Sequence, residues 1–468
     1  MLHGLSAVLM GGREILPLVE GGKGVAATNH LSSGAWALTG GVGTISAVNA
    51  DSYDPTGRII PQVYAKLTRR ERHEELVQYA IDGAVQQVQL AYDMASSELS
   101  RGVGGININV LWEMGGAQRV LNGVLERSKG LINGVTCGAG MPYKLSEIAA
   151  SYGVHYYPII SSARAFRALW KRAYSKAAEW LGAVVYEDPW LAGGHNGLSN
   201  AEDPRVPQNP YPRVRDLRAT MRESGIPDSI PIIMAGGVWR LDEWTDWLDN
   251  PELGQIVFQF GTRPLLTQES PIPDGWKARL MTLKPGDISL HKFSPTGFYS
   301  SAIRNPFLRE LELRSERQVA FSTTATGDHQ FLLDVGVGRK SYYVTRDDLL
   351  HAREWYARGA TEALKTPDNT LVFVSAAERQ IIRKDQTDCM GCLSQCAFSS
   401  WADTETNTTG RLADHARSAS RRRCRTSHTA AIPRQTWDSA AIRRSVSRRT
   451  RSTRTASSRR SSSSSNGS

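Results

Sequence analysis

Four glycine-rich runs and one histidine are the residues of this chain best suited to do chemistry together. The runs are Gly21-Gly22-Lys23-Gly24-Val25, Ala192-Gly193-Gly194-His195-Asn196-Gly197, Ala235-Gly236-Gly237-Val238 and Gln259-Phe260-Gly261-Thr262-Arg263, and each follows a short apolar stretch. Glycine lets the backbone turn with positive φ, and it lets a flat ligand or a phosphate approach peptide N–H groups closely. Imidazole titrates near neutrality, which suits His195 to acid–base work on a bound molecule. Taken singly, each run reads as a turn, and His195 reads equally well as a structural loop residue. Their recurrence in order points to one phosphate-bearing ligand. None of them fits a Walker or dinucleotide-binding spacing. A second group is Cys389-Met390-Gly391-Cys392-Leu393-Ser394-Gln395-Cys396. A Cys-x-x-Cys pair can reach one metal, and the third thiol could complete a cluster site. No fourth ligand stands nearby, so reduced structural or redox-active thiols are the competing reading, and no metal ligand is assigned.

These runs need elements to position them. Eight short β-branched stretches recur with room for helices between: Ile15–Val19, Gly43–Ala47, Ile106–Val110, Ile132–Cys137, Tyr156–Ile160, Ala183–Tyr186, Pro231–Ala235 and Ile256–Phe260. Such stretches suit strands buried on both faces. The segment from Phe166 through Leu169, Trp170, Ala173 and Ala177 to Trp180 has helical spacing with Ser162 as N-cap, and the segment after Thr68 reads the same way. Alternating β and α elements imply a parallel sheet with right-handed crossovers. The fold class expected is α/β, a TIM (β/α)8 barrel over residues 1–270, with an open doubly wound sheet as the alternative. In such a barrel the glycine runs fall at the C-terminal strand ends, where ligands bind.

Residues 271–400 exceed what closes a barrel. They include Ser294–Phe298, an aromatic and basic stretch at Tyr342–Arg346 and helix-like patterns at Asp347–Leu364 and Ser375–Arg383. They read as a cap or lid over the barrel mouth that also offers a homodimer surface, or as an annex without contact to the site. Residues 401–468 read as a disordered Arg/Ser-rich tail. The chain is 468 residues with a net charge of +10, but residues 416–468 hold 14 Arg and one acid, so residues 1–415 are mildly acidic. The global charge is therefore no argument for nucleic acid, and no specific nucleic-acid partner is expected. The tail itself admits three readings: a tail without specific function, a basic arm for RNA or membrane, or an out-of-frame translation of a GC-rich gene. Five cysteines argue against a disulfide scaffold and for a reducing, cytoplasmic setting. No apolar run is long enough to span a bilayer, and residues 1–30 lack a secretory pattern.

The ordered motifs GGKGV, AGGHNG, PIIMAGGV and QFGTRPLLTQES resemble those of the nitronate monooxygenases, FMN-dependent TIM-barrel flavoenzymes, over about residues 12–270. The likeness continues less sharply through Ser294–Leu308 and Cys389–Trp401. It implies FMN as cofactor, alkyl nitronates or nitroalkanes and O2 as substrates, and a carbonyl compound with nitrite as products. It implies that His195 is the catalytic base or the group that orients the nitronate. Gly193 and Gly194 would line the flavin, and Asn109, or Asn107 after a register slip, would bond its ring. Gly236 and Gly237, with Gln259, Phe260, Gly261 and Thr262, would bind the phosphate. Gly22 and Gly24 would approach the ring. Lys23 would be a cation beside the flavin or a solvated loop lysine. Asp188 stands where the family often has Gln, which would set an anion against the reduced flavin, and Trp190 would narrow the pocket. FMN- and NAD(P)H-dependent enoyl-acyl-carrier-protein reductases share much of the pattern and are the alternative. A non-catalytic nucleic-acid-binding protein using the tail is the reading from outside the enzymes.

Overall fold

The computed structural model describes residues 5–66, 68–97, 104–293, 299–335, 340–366 and 370–388. The Ser294–Phe298 stretch, the Cys389–Cys396 motif and the Arg/Ser-rich tail lie outside the described residues. Eight strands form a closed barrel: β1 (Leu18–Glu20), β2 (Val42–Ser46), β3 (Gly105–Leu111), β4 (Gly134–Gly138), β5 (His155–Ile160), β6 (Val184–Glu187), β7 (Ile232–Ala235) and β8 (Ile256–Phe260). Each pairs in parallel with the next, and β8 closes on β1 with Gln259 opposite Val19. The open-sheet alternative is thereby excluded.

The crossovers run through α1 (His30–Leu38), α2 (Arg69–Ala95), α3 (Ala117–Arg127), α4 (Leu145–Ser151), α5 (Ala163–Arg172) and α6 (Pro210–Glu223). The start signals work as side-chain chemistry requires. Thr68 and Glu71 make a reciprocal capping box on α2, and Ser162 Oγ accepts from the Ala165 N–H at 3.3 Å on α5. One expectation fails here. The helical spacing from Phe166 to Trp180 does not give one helix: α5 stops at Arg172, and Tyr174–Trp180 is a 3₁₀ segment with a kink at Ala177. The buried Tyr174 hydroxyl donates to Pro142 O at 3.0 Å, and Tyr156 donates to Tyr174 O at 3.3 Å. These bonds hold the segment against β5, and continuing α5 would break them.

Strand side chains alternate between two cores. Ile45, Ile106, Ile108, Val110, Val184, Tyr186, Ile232, Met234 and Phe258 face outward into the layer shared with the helices. Val19, Val42, Tyr157, Val185, Ile233 and Val257 fill the interior. An antiparallel hairpin, Val8–Met10 with Arg13–Ile15, turns on Gly11 and Gly12 at φ 57° and 74°. Its Val8, Met10 and Ile15 join the interior cluster, so the hairpin plugs the barrel.

Beyond β8 the chain makes two packings. The first, through the helices Asp274–Leu280 and Pro306–Ser315, buries Trp276, Ile303, Leu308 and Leu311 with Leu265 and with Ala27 of the loop after β1. In it, Ser300–Ile303 pairs antiparallel with both Ile288–His291 and Gly194–His195. The second packing gathers Val319, Leu333, Val344, Ala352, Leu371 and Phe373 from three antiparallel strands, a hairpin and the helix Arg346–Ala357. The helix expected over Asp347–Leu364 ends at Ala357, because Gly359 turns with φ 96° and Glu362–Lys365 becomes a strand paired with Thr370–Val374. Tyr342 lies in a strand, with its ring 4.6 Å from that of Phe321. Among the described residues, no helix is long and apolar enough to cross a membrane.

Candidate active site

The C-terminal strand ends and their loops enclose a cavity of about 220 Å³. Period-two alternation decides which residues floor it: Asn109 of β3, Thr136 of β4, Ile159 of β5, Glu187 of β6, Ala235 of β7 and Gln259 of β8 all line it. The glycine loops wall it, through Gly21 to Gly24, Gly193 to His195, Gly236 to Trp239, and Gly261 with Thr262. Of the residues the sequence singled out, His195, Gly22, Gly24, Asn109, Gly193, Gly194, Gly236, Gly237, Gln259, Gly261 and Thr262 meet around this one space.

Asp188 and Phe260 are not among its lining residues. Phe260 is the outward neighbour of inward Gln259; its ring lies 5.9 Å from that of Trp36, and the Arg263 guanidinium sits over it, 5.9 Å from the ring centre. Asp188 follows inward Glu187 and falls on the outward phase. Its Oδ1 accepts from the peptide N–H groups of Trp190 and Leu191, each at 2.9 Å. Burial raises this carboxyl above its ordinary range, while the two N–H groups and Arg213 act in the opposite direction. Asp188 therefore shapes the turn that leads to His195. Asn107 sits two residues below Asn109 on the same inward phase, and it too is not part of the lining. Both its amide atoms, and Oγ1 of Thr44 across the ladder, are buried without a hydrogen-bond partner among the described residues.

Glycine is required where the loops come closest. A Cβ at Gly22 would lie 2.5 Å from Asn109 Cβ and 3.0 Å from Thr44 Cγ2. Gly236 has φ 95°, and a Cβ there would meet Ala192 N and Asp188 Cβ at 3.0 Å. Neither neighbour is the loose end of a long side chain, so these positions admit only backbone.

Lys23 is not a solvated loop lysine. It is 2% exposed, and its Nζ donates to Gly21 O at 2.6 Å and to Glu20 Oε1 at 3.4 Å. Glu20 also accepts from the hydroxyls of Ser32 and Ser33 at the start of α1. Burial lowers the lysine's pKa and Glu20 raises it. The pair is a buried cation and anion under the first glycine loop, and removing either partner strands the other in a poorly solvated place.

His195 is held from both sides. It is 8% exposed, and its strand pairs with Ser300. Asn196 N donates to Tyr299 O at 3.0 Å, Ser161 Oγ donates to Gly197 O at 2.7 Å, and Gly194 turns with φ 68°. The imidazole thus reaches the cavity from a loop with little freedom. Sequence reading missed Glu187, Thr136, Leu111, Ala139 and Val48 in the lining. The signal for Glu187 was present: with Val185 buried in the barrel interior, the residue two further on must also face in.

A family model described as nitronate monooxygenase matches residues 14–384. Among solved structures, the chain is similar to FabK from Thermotoga maritima, with 17% identity over 73% of this chain and 94% of that one and a TM-score of 0.42. It is also similar to the nitroalkane oxidase from Streptomyces ansochromogenes, with 19% identity, coverage of 63% and 78%, and a TM-score of 0.42. The enoyl reductase domain of MlnA from the macrolactin biosynthesis cluster of Bacillus amyloliquefaciens shares 12% identity, with coverage of 62% and 64% and a TM-score of 0.38. No curated protein matches the chain.

Proposed function

The chain belongs to the nitronate monooxygenase family of flavin-dependent oxidoreductases, and on that premise we propose that it is an FMN-dependent monooxygenase. It acts in the cytoplasm, takes alkyl nitronates and O2 as substrates, and yields carbonyl compounds and nitrite. The observation that carries this reading is the convergence of four backbone-walled loops, Asn109 and His195 on one cavity at the barrel mouth.

The residues present suit a flavin. A flat ring needs walls without side chains, and Gly22, Gly24, Gly193 and Gly194 supply them. Asn109 is 7% exposed, and its carboxamide at the cavity floor can bond ring heteroatoms. Gly236, Gly237, Gly261 and Thr262 offer peptide N–H groups to a phosphate at the position where barrels commonly bind one. The enclosed volume is below the ~300–1,000 Å³ of ordinary ligand pockets, so the open rim must hold part of the molecule. When bound, the flavin supplies the electron transfer that lets oxygen react.

The protein's own groups do the rest. His195 takes the proton from the carbon next to a nitro group, or hydrogen-bonds a nitronate that arrives already ionised. The buried Lys23–Glu20 pair fixes a cation under the first loop without leaving a net charge. The pairing of Ser300 and Ser301 with His195 and Gly194 fixes the backbone that carries the imidazole. Full-length protein supplied with FMN and propyl-2-nitronate under air should consume oxygen and release nitrite; no nitrite would reject the reading. Gly22→Ala should weaken FMN binding by ~10-fold or more, because its methyl group displaces Asn109. A fluorescence titration with unchanged affinity would contradict the placement of the ring.

One observation favours a second reading. Leu191 and Trp239 line the cavity yet are 54% and 40% exposed, an apolar rim that an acyl chain would cover. An enoyl reductase would oxidise NAD(P)H with an enoyl thioester and show little oxygen uptake with nitronates.

A further inference from the structure

We propose that Glu187 is a second catalytic residue of this cavity, a carboxylic acid that touches the substrate and donates a hydrogen bond to its anionic oxygen. The inference rests on the oxidation of nitronates proposed above and names a further residue for it.

The geometry comes first. Glu187 ends β6 with its Cα opposite Ala235 of β7, and both line the cavity. Its strand neighbours on the inward phase are interior residues, while Val184 and Tyr186 pack outward. The barrel's other strand-end glutamate behaves differently. Glu20 faces outward and is engaged by Lys23, Ser32 and Ser33. For Glu187, no hydrogen bond or ion pair is made within the described residues; only burial and the charge of Asp188 act on it, and they push its carboxyl up to about 8. A carboxyl placed at a ligand cavity, with no partner of its own, is a hydrogen-bond donor waiting for an acceptor while it keeps its proton.

The chemistry follows. A nitronate carries its negative charge on two oxygens of a planar head group. A neutral carboxylic acid donates to such an oxygen and leaves the charge favourable; a carboxylate would repel it. Nothing is transferred covalently, so the proposal needs no further reactant. The titratable and charged groups facing the same space are His195 from the loop after β6 and Lys23 from the loop after β1, with Asp188 adjoining on the outward phase. Strand β8 contributes Gln259, and the loops after β7 and β8 contribute Trp239 and Thr262, none of which is charged.

Nitrate, a planar and unreactive oxyanion, serves as the probe. Calorimetric titration of FMN-loaded full-length protein with nitrate should show binding that weakens ~10-fold per pH unit above about 8. In Glu187→Gln, which keeps a donor and never ionises, binding should stay level across that range. Glu187→Met, of similar length, is the substitute if the Gln variant does not fold; there binding should be weak at all pH values and level. Persistence of the alkaline weakening in these variants would assign it to Lys23 or another group and overturn the proposal. Absence of nitrate binding to the wild type at neutral pH would overturn it as well. Failure of the nitronate reading registers separately, as missing nitrite from propyl-2-nitronate with a normal nitrate titration.

Discussion

Replacing His195 by Asn should lower turnover of a neutral nitroalkane by ~10²–10⁴-fold and turnover of the matching nitronate far less. Asn keeps a hydrogen-bond donor of similar reach but cannot accept a proton at neutral pH. A nitroalkane needs its carbon deprotonated, whereas a nitronate has lost that proton before it binds. The His195 backbone is fixed by its pairing with Ser300, and the two residues after it, Asn196 and Gly197, are held by Tyr299 and Ser161, so the substitution should change chemistry with little change in position. Initial rates of nitrite release from the two substrates make the comparison. Equal losses would remove the general-base role and leave His195 with orientation alone.

The second large effect is on stability. Arg218 of α6 is completely buried, and its guanidinium donates to three carbonyls: Leu253 at 2.6 Å, Ile230 at 3.0 Å and Gln255 at 3.0 Å. These carbonyls belong to the segments that enter β7 and β8, so one side chain ties a helix to two barrel strands. Burial lowers its pKa to about 10, which leaves it charged at neutral pH. Arg218→Met would remove the charge, a gain, but would orphan three buried acceptors. Unpaired buried acceptors cost ~1–3 kcal/mol each, so a net loss of ~3–5 kcal/mol is expected. That corresponds to a fall in Tm on the order of 10 °C. Arg218→Lys should recover little, because a point charge cannot reach three diverging carbonyls. A melting curve by circular dichroism that moved by under ~2 °C would show the clamp to be dispensable.

The barrel was legible because strands buried on both faces must be short, apolar and β-branched, and all eight such runs overlap a barrel strand, although Ile15 of the first belongs to the plugging hairpin and only Leu18 and Val19 of that run enter β1. The glycine loops were legible for a related reason: positions such as Gly22 and Gly236, where a methyl group has no room, leave a mark in composition. Register at strand ends was harder to read. Glu187 and Asp188 are adjacent acids, and choosing the inward one requires knowing that Val185 faces the barrel interior. The same one-residue ambiguity separates Gln259, which lines the cavity, from Phe260, which packs against Trp36. The break between Arg172 and Tyr174 was hidden because amphipathic spacing continues across it; hydrogen bonds from Tyr156 and to Pro142 decide it. Nor does local sequence reveal that Ser300 pairs with His195 across more than 100 positions of chain. That contact lies between strand ends and a segment beyond the barrel, where periodicity carries no information.

Flavin binding tests the cavity most directly. Full-length protein incubated with FMN and freed of excess by gel filtration should remain yellow with stoichiometric flavin, and replacing His195 by Asn should shift the visible bands while Gly22→Ala should release the cofactor. Protein that stays colourless, or a bound flavin whose spectrum and affinity ignore both substitutions, would contradict a cofactor seated at this barrel mouth.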